Sequence, residues 1–169
     1  MAKKIKLLYK IFIIIFIALA LNGCALLQRT EFHSFAYAMY RDNPNIEVLD
    51  FWYGKSREKT WIKMPDWRIE KGIPNQGESI HMLSHREDFL YVKWRDKVSK
   101  LEFSDTVDLR HRLPDNISDH AIYFMIVDSQ LYVYLIAHRN PKDKDGPPVQ
   151  LPIFPRQFNF RKVLLLYPG

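Results

Sequence analysis

Cysteine is nearly missing from this chain: Cys24 is the only one in 169 residues. No second cysteine exists to close a disulfide, and a Cys-based zinc site is excluded. Glycine is sparse too, six in all, and none sits in a Gly-rich loop that opens a helix. A phosphate-cradling loop of that kind is therefore ruled out. No Gly-x-Ser-x-Gly elbow occurs, and Gly54-Lys55-Ser56 lacks both the second glycine and a following helix. His81 and His85 stand four apart, but no helix is predicted there and no glutamate lies between them. The zinc-protease pattern thus fails, and the two read as surface or loop histidines. His111, His120 and His138 fall at strand ends with no acid that can be assigned to them. Acid pairs occur at Glu87-Asp88 and at Asp105 with Asp108. Neighbours on a strand point to opposite faces, so Glu87 and Asp88 do not converge as a catalytic dyad. They read instead as a solvated edge. Neither a metal nor a cofactor is expected.

What is present begins at the N-terminus. Residues 1–10 carry Lys3, Lys4, Lys6 and Lys10 and no acid, and Ile11 to Leu21 is an unbroken apolar run. That is the layout of a secretory signal. The run is shorter than the roughly 20 apolar residues that cross a bilayer as a helix. The lysines place the start of the segment on the cytoplasmic side. Leu21-Asn22-Gly23-Cys24 follows, with a large apolar residue three before the cysteine and a small one just before it. It resembles the lipobox of bacterial lipoproteins, although Asn22 is a less usual middle residue. The resemblance implies cleavage between Gly23 and Cys24 and a Cys24 acylated as a diacylglyceryl thioether. That sulfur would no longer serve as a nucleophile. Each buried CH₂ contributes about 0.8 kcal/mol, so several acyl chains hold where one does not. Ala25 in place of Asp resembles the pattern sorted to the outer membrane in enteric-type bacteria. Two other readings stand beside this one. Leu7 to Leu27 could be an uncleaved membrane helix that tolerates Lys10, Asn22 and Gly23, or the segment could be an ordinary signal with an incidental cysteine.

Charge follows from the same division. Four of the 25 basic residues precede Cys24 and none of the 19 acidic ones does, so the formal net charge of +6 would fall to +2 after cleavage. The basic balance is then partly a property of the leader, and no nucleic-acid partner is expected. The remaining length suits one domain. The expected organisation is a signal peptide over 1–23, an acylated tether over 24–30 and a single β domain over 31–169. An aromatic content of 14% supplies its core.

The hydrophobic pattern beyond the leader is that of strands. Phe35, Tyr37 and Met39 alternate with Ser34, Ala36 and Ala38, which predicts a strand over Glu31 to Tyr40, although the alanines also permit a helix. A second strand is predicted over Ile46 to Tyr53, after the turn Asp42-Asn43-Pro44-Asn45. Arg57 to Gly77 reads as a long irregular loop broken by Pro65, Gly72, Pro74 and Gly77. Phe89 to Trp94 is a strand, and Ser99 to Leu113 gives one bulged strand or two short ones. Ala121 to Val127 and Leu131 to Ala137 form a hairpin across Asp128-Ser129-Gln130. Asn140 to Pro148 is a polar, Pro-rich loop, and Phe158 to Tyr167 is a closing strand with Val163 to Leu166 as its buried part. The expectation is all-β: a single antiparallel β-sandwich or open barrel.

A second resemblance rests on Val92-Lys93-Trp94-Arg95, Thr106 to Arg110, Leu113-Pro114 and Leu131 to Ile136, with Val48-Leu49-Asp50, Tyr53-Gly54 and Ser56. These segments look like a group of small uncharacterised lipoproteins of proteobacteria. The likeness implies class and fold and carries no mechanism.

Trp52, Tyr53, Trp61 and Trp67 lie close in sequence, and Arg68 follows Trp67. Trp and Arg anchor interfaces. Trp61, Trp67 and Arg68 are therefore the candidate protein contact, set against the plainer reading of the long loop as a lid over one end of the core. For Trp52 and Trp94 plain core packing is the stronger expectation. The functional expectation is a lipid-anchored, periplasm-facing module of the cell envelope, non-enzymatic, that binds an envelope protein or has a structural role. An immunity or inhibitor protein against a secreted toxin is the alternative, and an envelope hydrolase a third.

Overall fold

A computed structural model describes residues 30–141 and 161–168. The chain divides into 1–30 and 31–169, and the fold concerns the second unit. Gly23 and Cys24, with the signal and all of the expected tether except Thr30, lie outside the described residues, as do 142–160, and Thr30 belongs to the first strand.

Among the described residues nine strands form two open sheets. They are β1 (Thr30–Ala38), β2 (Ile46–Tyr53), β3 (Ile62–Lys63), β4 (Gly77–His85), β5 (Phe89–Asp96), β6 (Glu102–Asp108), β7 (His120–Val127), β8 (Gln130–Pro141) and β9 (Arg161–Tyr167). One sheet has the order β4-β1-β7-β8-β9 and the other β3-β2-β5-β6. The helices among the described residues are short: α1 (Met39–Asp42) and α2 (Asp66–Glu70). The all-β expectation holds, with one amendment. The four-stranded sheet is antiparallel, but β1 runs parallel to β7, pairing Ser34 with Ala121 and Ala36 with Tyr123. The five-stranded sheet is therefore mixed.

The two sheets share one core. Phe35 and Tyr37 of β1 stack on Phe51 and Phe124, and Phe35 also lies parallel to Tyr53 at 5.9 Å. All five rings are buried. Period two puts Phe35 and Tyr37 on this inner face and Ser34, Ala36 and Ala38 on the outer one. In β2 the period slips. Ile46 and Val48 point inward, and so do Phe51 and Tyr53, because the register shifts between Val48 and Asp50. A bulge of this kind re-aims the residues at the kink, and here they are Leu49 and Asp50. The β7–β8 hairpin pairs Val127 with Gln130 across Asp128-Ser129, with Asp128 at φ 54°. A positive φ in a two-residue hairpin loop matches the right-handed strand twist.

Several elements differ from expectation. Met39 leaves β1 for α1, so the first strand stops at Ala38. The stretch 57–77 is not structureless: it holds a 3₁₀ turn at Arg57–Lys59, then β3 and α2. Strand β4 was not foreseen at all. Ser99 to Leu113 yields one strand, β6, with Leu109 and Leu113 buried beyond its end. Within β9 only Leu166 is fully buried, and Leu164 is 51% exposed because β9 is an edge. Trp52 is half-buried on the outer face of its sheet, where it stacks on Tyr91 at 5.5 Å.

Candidate functional site

The predicted contact residues lie on the segment between β2 and β4, and that segment is tied down. Arg57 is its clamp. Its guanidinium donates to Asp50 Oδ1 at 2.5 Å, to Asp66 Oδ1 at 2.7 Å and to the carbonyl oxygen of Met64 at 2.7 Å. The bulge in β2 is what turns Asp50 toward it. Asp50 is half-buried, and that burial pushes its carboxyl up against the downward pull of Arg57. Asp66 is exposed, and the hydrogen bond from Arg57 holds its carboxyl below the usual range. Thr60 adds a second tie, donating to the Tyr53 carbonyl and accepting the Ile62 amide. A third is the bridge between Asn75 and Val48.

On this pinned segment Trp61 is 91% exposed and Trp67 50%. The Arg68 guanidinium lies 5.0 Å from the Trp67 ring and the Lys71 ammonium 5.9 Å from it. Such stacking contributes about 0.5–1 kcal/mol when exposed. Ile69 and Ile73 are exposed beside them. Arg68, Ile69 and Ile73 form one wall of a groove of about 360 Å³, with Asp50, Lys93, Arg95 and Glu102 on its sheet side. Glu102 accepts from Lys93 at 2.8 Å and faces Arg95 at 3.4 Å, and the Lys93 contact holds its carboxyl low. The structure thus joins Trp67 with Arg68. Tyr53 is buried and takes no part, and Trp52 sits on the sheet face rather than in the core.

A second site was not foreseen. A cavity of about 410 Å³ opens on the outer face of the five-stranded sheet. Its floor follows the small side chains Ser34, Ala36 and Ala38 of β1 and Ala121 of β7. Larger residues flank it: Tyr40 and Arg41 toward one end, His138 and Arg161 toward the other. At the second end lies a chain of polar contacts. Arg161 Nη1 is 3.1 Å from His138 Nδ1, and His138 Nε2 is 3.1 Å from Ser34 Oγ. Ser34 Oγ is in turn hydrogen-bonded to His81 Nδ1. Ser34 is 4% exposed, whereas His81 and His138 face solvent. Burial and then the Arg161 charge hold the His138 pKa below its ordinary value.

His81 and His85 are both exposed, as expected, but on a strand, where a spacing of four also returns to one face. Among the described residues no group of three or more His, Cys, Asp or Glu could hold a metal. His33 occupies the inner side of β1 instead. It donates from Nδ1 to the Glu31 carbonyl at 3.1 Å, and burial lowers its pKa. The serine–histidine chain escaped sequence reading because its members lie 47 and 104 positions apart. The one local hint is the run of small residues at alternate positions in β1.

No protein-family model, curated protein or solved structure matches the chain.

Proposed function

We propose that this chain is a bacterial lipoprotein, acylated at Cys24, whose β domain works in the periplasm as a contact module for an envelope protein. The contact is made by the segment that carries Trp61, Trp67 and Arg68. One observation supports this reading above the others: a tryptophan 91% exposed on a segment held by the three-way clamp of Arg57. Large aromatics on rigid backbone lose little entropy when a partner covers them, and Trp and Arg dominate binding energetics. The groove beside α2 offers charges of both signs, which suits a protein surface. Lipid attachment would restrict the search for the partner to the membrane plane.

The test has two arms. Intact mass spectrometry should find Cys24 as the N-terminal residue, carrying acyl chains. Pull-down from detergent-solubilised envelopes should lose a specific partner when Trp61→Ala and Trp67→Ala are combined. Recovery of the same partners by both proteins would remove the contact surface. A bare Cys24 with residues 1–23 attached would remove the anchor.

A further inference from the structure

Three contacts at the end of the 410 Å³ cavity join four side chains in a row. A guanidinium only donates, so His138 Nδ1 accepts from Arg161. His138 then carries its hydrogen on Nε2 and donates it to Ser34 Oγ. Ser34 Oγ can accept from His138 and still donate, and with the His81 hydrogen on Nε2 the hydroxyl donates to His81 Nδ1. The order is Arg161 to His138 to Ser34 to His81. A serine whose hydrogen is held by an imidazole nitrogen, at the wall of a cavity, is the nucleophile–base pair of acyl transfer.

We infer that Ser34 is a nucleophile with His81 as its general base, and that the cavity accepts a carboxylic ester with a small apolar acyl group. This goes beyond the contact reading and does not rest on it, because the residues belong to the other sheet. Ser34 Oγ bonds the ester carbonyl carbon, and its proton passes to His81 Nδ1. The carbonyl π pair moves onto oxygen, for which the Arg161 guanidinium is the cationic donor at that end of the cavity. Collapse breaks the bond to the alcohol oxygen, which leaves with the proton from His81. Water then adds to the acyl-Ser34 carbonyl with His81 taking its proton. Release of the carboxylic acid restores the hydroxyl. Ala36, Ala38 and Ala121 give the acyl group an apolar floor. His81 lies at the surface, where solvent can exchange its proton.

An alkyl fluorophosphonate tests this directly. Serine oxygen displaces fluoride from phosphorus and the adduct persists for peptide mapping. The full 169-residue chain, purified in mild detergent, should be labelled at Ser34. Urea should abolish labelling, and Ser34→Ala should not react. His81→Gln, a surface change that should leave the circular dichroism spectrum intact, should slow labelling by about 100-fold. A native chain left unlabelled at Ser34 overturns the proposal. So does labelling that survives urea, or that proceeds at the parental rate in His81→Gln.

Discussion

Single residues decide how the contact segment is presented, and Arg57 decides most. Its side chain is largely buried, as is that of Asp50, so the pair is not a loose surface bridge. Truncating it to alanine leaves Asp50 and the Met64 carbonyl short of a donor. Groups stranded in that way cost about 1–3 kcal/mol. Arg57→Ala should therefore lower the urea midpoint accordingly and open Lys59 and Lys63 to trypsin. Arg57→Lys should rescue little, because one ammonium cannot reach three acceptors that a planar fork serves at once. An unchanged midpoint and an unchanged digest in Arg57→Ala would show that the clamp is ornamental. None of this was legible in the sequence. Trp61 and Trp67 announced themselves by type. The clamp did not, because Asp50 faces Arg57 only through a bulge that simple alternation does not foretell.

At the scale of elements, legibility followed burial. Strands β2, β5, β7 and β8 could be read because apolar residues fill their inner faces and β7 is buried on both. Strand β4 was missed because it is an edge with only Ile80 and Met82 packed on the core. The parallel β1–β7 pair was hidden for another reason: no local pattern reports a partner more than eighty residues away. That pair places His33 inside, at a site where it stays neutral. Burial depresses His33 and His138 below the ordinary 6.5. Below that value the unfolded chain binds protons that the fold refuses, so stability falls as pH falls. Asp42, Asp50 and Glu87 act oppositely: burial raises them, and the fold gains stability as they protonate. Their effect begins nearer the carboxylate range. The urea midpoint should accordingly hold steady from pH 8 to about 6.5 and decline toward about pH 5. His33→Gln should flatten that decline. A midpoint that rises between pH 6.5 and 5 would contradict the burial of neutral histidines.

The molecule as a whole depends on one aromatic cluster that belongs to neither sheet alone. Phe35 comes from the five-stranded sheet, yet it stacks on Phe51 of the four-stranded one at 5.3 Å and leans on Phe124 of its own at 5.8 Å. Coupling through shared burial makes the unfolding of the two sheets one event, the usual behaviour below about 150 residues. Phe35→Ala should cost about 3–5 kcal/mol, the range for a large side chain removed from a core that closes only in part. Loss should appear together in far-UV circular dichroism, which follows both sheets, and in the near-UV signal of Trp94, which is buried in the four-stranded sheet. Two separated transitions would mean that the sheets fold independently. The contact face on one sheet and the serine face on the other would then be two stabilities rather than one, and a substitution on either could no longer be compared with the other at a common urea midpoint.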